Sequence, residues 1–348
     1  MPTDLRRHSA FSQEKALFHR PHREALVHRH PAPPRLPHPL STTRLPNGHY
    51  RTPGVLEPIE LFDLLELTGT TSAAAEALGL SQPTVSRRSR RLVQDLSLKS
   101  RKPMALQALR YSETSCLRLL RRASQHHRLD AGSWRVGGSP WQQQLLPPKR
   151  ASGDPPTRFR HPRAWQELLR AHCLDGALVH GLDLRELLPA APDGTAFEVG
   201  GRSALEWDDC LLMPIGFTAL GLLLPPGEAD AAQPWREVLV PAQQDAPGLA
   251  SWVRQQQCRS LYAPRQCHRQ EDWAALLHGK QKPLLCSVDW AERMRPLLIG
   301  WAWQPWGRGA VDQTWLMVLN RVWEQHPQME PLAEQLVAMA AGFDASAD

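Results

Sequence analysis

Positions 82–91 hold the residues best suited to chemistry: Gln82, Pro83, Thr84, Ser86, Arg87 and Arg88, with Arg90 and Arg91 behind them. Amide, hydroxyl and guanidinium groups at this density match the donor and acceptor edges of base pairs and the oxygens of phosphates. Between positions 81 and 102 stand seven Lys/Arg, including Lys99, Arg101 and Lys102, against one Asp. A surface of that charge neutralises several phosphates and binds with steep salt dependence. The competing reading is an amphipathic helix whose arginines are merely solvated. Catalysis has no comparable signal, because no nucleophile elbow, HExxH pair, P-loop or dinucleotide fingerprint is present, and no catalytic residue is assigned. The six Cys, at 116, 173, 210, 258, 267 and 286, show neither CxxC spacing nor clustering with His. Neither a metal, another cofactor nor a disulfide framework is expected.

The polar run faces outward only if short helices cross beneath it. Residues 56–67, LEPIELFDLLEL, place apolar side chains at 56, 59, 61, 62, 64, 65 and 67, a broad helical face ended by Gly69. Thr70, Thr71 and Ser72 offer caps for a second helix over 73–78, where Ala73, Ala74 and Ala75 permit a close crossing. Gly79-Leu80 makes the turn. Ser81 caps a third helix, with Pro83 in its first turn, running to about residue 96. Leu78, Leu80, Val85 and Leu92 close a three-helix core, and Ser89, on the same face, weakens it. A basic stretch over 99–103 follows, and then 106–128 reads as a longer helix.

This pattern resembles the N-terminal winged helix-turn-helix of LysR-type transcriptional regulators over residues 58–122. The resemblance rests on Ala74-Ala75, Leu78, Ser81-Gln82-Pro83, Thr84-Val85 and Ser86-Arg87. It implies that Gln82, Pro83, Ser86 and Arg87 approach double-stranded DNA in the major groove. It further implies that 99–102 lie in a wing beside the backbone and that 106–128 form a dimerising linker helix. The chain departs from the family at Ser89, usually isoleucine, and at Val93, usually acidic. The wing's Leu-Phe-x-Arg and the linker's Leu-Thr-x-x-Gly are also missing.

Charge and composition divide the chain in the same way. Residues 1–54 carry nine Lys/Arg against three Asp/Glu, residues 55–130 twelve against eight, and the remainder twenty against twenty-four. A polyanion would therefore be met at one end only. Residues 1–54, rich in His and Pro, are expected to be a disordered basic tail. All 13 Trp lie at or beyond Trp134, where helical stretches begin to alternate with short apolar runs, the sign of an α/β domain. Strands are expected at 134–136, 175–179, 211–214 and 218–224, the last two around a turn. Helices are expected at 162–172, 250–257, 271–277, 311–324 and 331–341. The cluster Trp301, Trp303 and Trp306 reads as core, pocket lining or subunit contact.

The domains expected are thus the tail (1–54), a winged helix-turn-helix (55–104), a linker helix (105–130) and an α/β domain (131–348). The resemblance implies that this last part is a two-lobed, periplasmic-binding-protein-like α/β domain with a small-molecule site between its lobes. The turn after the first strand supplies Gly138 and Ser139 for an unknown anionic effector, and Asp175 begins the next strand near the same cleft. An ordinary turn and a structural cap are the plainer readings of these residues. No apolar run of about 18 residues is present, so no membrane span and a cytoplasmic location are expected. The whole reads as a DNA-binding regulator, a homodimer or tetramer. A drifted helix-turn-helix serving as a protein-interaction scaffold is the alternative, and an enzyme with a regulatory head the third reading.

Overall fold

The computed structural model describes residues 50–101, 106–146, 155–188, 196–199, 202–228 and 235–344, without the side chains of 196–199, 202–203, 308–309 and 342–344. Most of the expected tail and the wing tip with Lys102 lie outside these residues.

Helix α1 (Glu57–Thr68) buries nine of its twelve residues, Asp63 and Glu66 among them. It ends where Gly69 takes the left-handed conformation (φ 72°) and donates its N–H to Leu65 O. Helix α2 (Thr71–Leu78) starts at Thr70, whose hydroxyl accepts the Ala73 N–H. It stops at Gly79, again left-handed (φ 63°), which turns the chain into α3 (Gln82–Asp95). Ala74, Ala75 and Val85 seal this trihelical head, with Leu78 and Leu80 packed on them. After α3, Arg101 N–H donates to Arg110 O and Ser112 N–H to Lys99 O, an antiparallel pair that forms the base of a wing. Helix α4 (Ser115–Asp130) follows, capped by Thr114, whose hydroxyl accepts the Leu117 N–H.

The remainder forms one sheet, with β1 (Val136–Gly137), β2 (Gly176–His180), β3 (Ala196–Val199), β4 (Arg202–Trp207), β5 (Cys210–Leu224), β6 (Glu237–Val240), β7 (Arg259–Tyr262), β8 (Leu284–Ser287) and β9 (Ala302–Leu319). Its order is β1-β2-β9-β5-β8-β6-β7, with β4 added to β5 and β3 to β4. The covering helices are α5 (Pro162–Arg170), α6 (Gly181–Arg185), α7 (Pro247–Gln255), α8 (Gln270–Lys280), α9 (Val288–Met294), α10 (Asn320–Gln325) and α11 (Met329–Asp344). Two cores result. One gathers β1, β2, the first half of β5 and the last part of β9 with the head; the other gathers β6, β8 and the second half of β5 with α7, α8 and α9. Among the described strands, β5 and β9, paired along almost their whole length, are the ones that run through both lobes.

Three expectations are corrected. Residues 311–324 are not a helix, because β9 continues to Leu319 and only α10 is helical. This strand lies between β2 and β5 with Leu316, Met317 and Val318 all buried, so both faces are apolar and the alternation that marks a strand is lost. Residues 211–214 and 218–224 form one strand rather than two around a turn. Pro214 sits at a register shift beside Gly216, a bulge where the ladder needs no proline N–H. Helix α4 begins at Ser115, not at 106, since Thr114 caps it and the Ala108 and Leu109 N–H groups are held by Glu167 Oε2.

The head is joined to the lobes by buried charge. Asp63, fully buried on α1, accepts Arg121 Nε of α4 at 2.7 Å and Arg135 Nη1, just before β1, at 3.3 Å. Arg135 also faces Glu60 at 3.6 Å. Removing the Asp63 charge leaves Arg121 and Arg135 buried with only the longer approaches to Glu66 at 3.9 Å and Glu60 at 3.6 Å. Asp63→Asn is expected to cost about 3–5 kcal/mol in denaturant unfolding; a loss below about 1 kcal/mol, the range of exposed pairs, would contradict this account.

Candidate nucleic-acid interface and interlobe cleft

Capping and packing aim α3. Ser81 Oγ accepts the Thr84 N–H at 3.4 Å and lies 2.8 Å from the Thr84 hydroxyl. Gln82 Nε2 donates to Thr71 Oγ1 at 2.9 Å, tying the start of α3 to that of α2. Val85 and Ser89 face inward, with 0% and 4% of their surface exposed. Ser89 satisfies its hydroxyl on Ser86 O at 3.1 Å, so the expected soft spot in the core is closed without a bare polar group. Opposite them Gln82, Pro83, Arg87, Arg88, Arg90 and Arg91 are exposed, while Thr84 and Ser86 are half-buried. Among the described residues Arg87, Arg88 and Arg90 have no ion-pair partner, and Arg91 meets only exposed Asp95 at 3.7 Å. Lys99 and Arg101 add exposed charge at the base of the wing.

The lobes hold the head from elsewhere. Arg158 donates to Thr68 O and Arg160 to Leu67 O, so two guanidiniums cap the carbonyl end of α1. Arg269, before α8, pairs with Glu76 of α2. Burial pulls Arg160 down to about 9 and Arg158 to about 10, which leaves both charged near neutral pH. Burial and these two arginines push His268 down to about 3, so a neutral ring meets Arg158.

Between the two cores lies a cavity of about 10 Å³, bordered by Ser139, Gln142, Phe159, Arg160, His180 and Asp183. Ser139 borders it, and Gly138 precedes Ser139 in the chain without lining the cavity. Gly138 O accepts the Arg158 N–H at 2.9 Å, and Ser139 N–H donates to Gln142 Oε1 at 3.1 Å at the start of a tight helical turn, Pro140–Leu145. Asp175 does not belong to the site. It is buried, and its carboxylate accepts Arg128 at 3.0 Å, Gln125 at 3.0 Å and the Arg135 N–H at 2.7 Å, anchoring α4 to the sheet. The plainer reading, a structural role, describes its position.

Sequence reasoning missed His180, Asp183 and Asp312 here. Asp312 sits on β9 within the stretch read as helix, whereas His180 ends β2, a buried apolar run whose last residue is polar. Asp183 accepts the Gly248 N–H at 2.7 Å and that of Leu249 at 3.4 Å, yet burial pushes its carboxyl up to about 7. Among the described residues no group of three or more His, Cys, Asp or Glu is placed to hold a metal ion. No described helix is long and apolar enough to cross a membrane.

No protein-family model matches the chain, and no curated protein matches it. Solved structures that it is similar to include full-length OxyR from Pseudomonas aeruginosa, at 15% identity over 83% of this chain and 95% of that one, with a TM-score of 0.39. Full-length CbnR complexed with its target DNA matches at 13% identity over 82% and 99%, TM-score 0.42. Full-length LysG from Corynebacterium glutamicum with bound effector Arg matches at 15% over 81% and 97%, TM-score 0.36.

The raised Asp183 carboxyl carries a signed consequence. Its proton is held in the folded state up to about pH 7 but leaves the unfolded chain near the ordinary value of 3.8. Stability from this group is therefore fully present below pH 3.8 and declines as the pH rises towards 7. Asp183→Asn keeps the Oδ1 acceptor and removes the charge. Its stability relative to the parent chain should grow between pH 5 and 7, by up to about 1.4 kcal/mol per pH unit in denaturant unfolding. A difference that stays flat over that range would refute the assignment.

Proposed function

We propose that this chain is a DNA-binding transcriptional regulator of the LysR type, with a small-molecule effector site in the interlobe cleft. One observation carries the reading. The α3 face bearing Gln82, Pro83, Arg87 and Arg88, with Arg90 beside it, is exposed, while Val85 and Ser89 of the same helix are sealed inward. Thr84 and Ser86 flank that face, and Lys99 and Arg101 extend it along the backbone. The motif from Ala74 to Arg87, which resembles that family, agrees with this geometry. Domains of 55–104, 105–130 and 131–348 fit it as head, linker and sensor. On α4, Cys116, Leu119 and Ala123 line up on an exposed side, with Leu119 66% exposed, as a face for a second copy in a dimer. Ser139, beside Gly138, is the effector contact on the lobe side of the cavity.

A mobility-shift titration of the full chain against genomic fragments tests the reading. A subset of fragments should be selected, affinity should fall steeply with salt, and Arg87→Ala should cost about 1–3 kcal/mol on the selected sites. Uniform weak binding, indifferent to Arg87→Ala, would overturn it in favour of an interaction scaffold.

A further inference from the structure

The cavity between the lobes contains an arrangement for which DNA binding has no use. Ser139 Oγ lies 2.8 Å from His180 Nε2, and His180 Nδ1 lies 2.6 Å from Asp312 Oδ2. The second oxygen of Asp312 accepts the Leu182 N–H at 3.0 Å, which fixes the carboxylate plane. A carboxylate on Nδ1 holds the proton on that nitrogen, so the Nε2 lone pair is left to accept the Ser139 hydroxyl. Nucleophile, base and orienting acid come from the turn after β1, the end of β2 and the middle of β9. Such a set is recognised by geometry and role, not by chain order.

We propose that Ser139 is an activated nucleophile that takes the acyl group of a small activated ester, thioester or acyl phosphate. Ser139 Oγ bonds to the carbonyl carbon while its proton passes to His180 Nε2. The tetrahedral intermediate then expels the leaving oxygen or sulfur, which receives that proton, and an ester remains on Ser139. Pro140 has no N–H to offer the oxyanion. A buried alternative is Gln142 Nε2, on the cavity wall and without an acceptor among the described residues. Arg160 borders the same space. The cavity of about 10 Å³ has room for about one water-sized group beside Ser139, which favours the smallest acyl group, formyl, over larger ones. Burial opposes a charged His180, but the hydrogen bond and charge of Asp312, with Asp183 beyond it, outweigh burial and raise its basicity. The titratable and charged groups around the imidazole are Asp312, Asp183, whose carboxyl burial holds protonated up to about pH 7, and Arg160. The proposal concerns the cleft named above as the effector site but does not rest on DNA binding.

The test is adduct formation on the folded full chain. Methanesulfonyl fluoride and acetyl phosphate, both compact, serve as probes, read by intact mass and peptide mapping. One adduct is expected, on Ser139, absent from Ser139→Ala and slowed at least about 100-fold in His180→Gln and Asp312→Asn. Should either variant unfold, the pH profile of labelling in the parent chain decides, since the rate must rise as the imidazole loses its proton. No adduct on Ser139, a pH-independent rate, or undiminished labelling in a folded Asp312→Asn would overturn the proposal and leave the three residues as a tie between strands. Labelling and mobility shift are separate readouts, so either reading can fail without the other.

Discussion

The carboxylate of Asp63 is the constraint on which the arrangement of this molecule depends. A buried ion costs several kcal/mol to desolvate, and only partners of excellent geometry repay it. Asp63 finds them on two other elements, Arg121 of α4 and Arg135 at the entrance to β1. An apolar contact tolerates sliding, whereas a carboxylate that must meet two guanidiniums at once does not. Helix α1 therefore has one seat on the lobes, and the helices that pack on α1 inherit it. The neighbouring acid behaves differently. Burial pushes Glu66 up to about 7 although it accepts the Arg110 N–H at 2.7 Å, so near neutral pH it is partly a neutral hydrogen-bonding group beside the pair. Asp175 repeats the logic one layer down, taking Arg128 of α4 and the Arg135 backbone.

The same accounting explains which arginines remain for an outside partner. Arg121, Arg128 and Arg135 are buried and spent on internal carboxylates. Arg87, Arg88 and Arg90 lie exposed on α3, with no ion pair to the lobes' acidic groups among the described residues. A chain that is acidic in its last two thirds can thus present a concentrated positive face, because the charges of opposite sign are segregated by fold and not only by sequence.

The head was legible because its signals are local. Caps at Thr70 and Ser81, left-handed turns at Gly69 and Gly79, and a helical period in three short segments each depend on a few adjacent residues. The sheet was legible only in part. A strand covered on both faces, such as the end of β9, carries no alternation, and a proline at a bulge looks like a turn until its ladder partners are known. The cleft was least legible. Ser139 was found because it follows a strand and a glycine pair, but its partners His180 and Asp312 lie 41 and 173 positions further on and meet it only through the order β2-β9 of the sheet. The acidic spacing of Glu60, Asp63 and Glu66 along one side of α1 was the available sign that this helix buries charge as well as leucine.

Cleft and head share one segment of chain. The backbone N–H of Arg158 is held by Gly138 O, beside the serine of the cavity, while its side chain caps Thr68 at the end of α1. Two residues on, Arg160 borders the cavity and caps Leu67. Both contacts to α1 are charged donors on helix carbonyls, and both come from the strip of chain that closes the cavity with Phe159. Besides the shared strands β5 and β9, the lobes are tied by Asp183 to the Gly248 N–H, by Gln144 to Asp289 and by Arg293 to Pro140 O, and Phe159 stacks on His180 in the cavity between them. The strip that borders the cavity is thus the same strip that holds the last carbonyls of α1. Because Asp63 meets two guanidiniums at once, the seat of α1 on the lobes resists a gradual tilt in a way that an apolar contact alone would not.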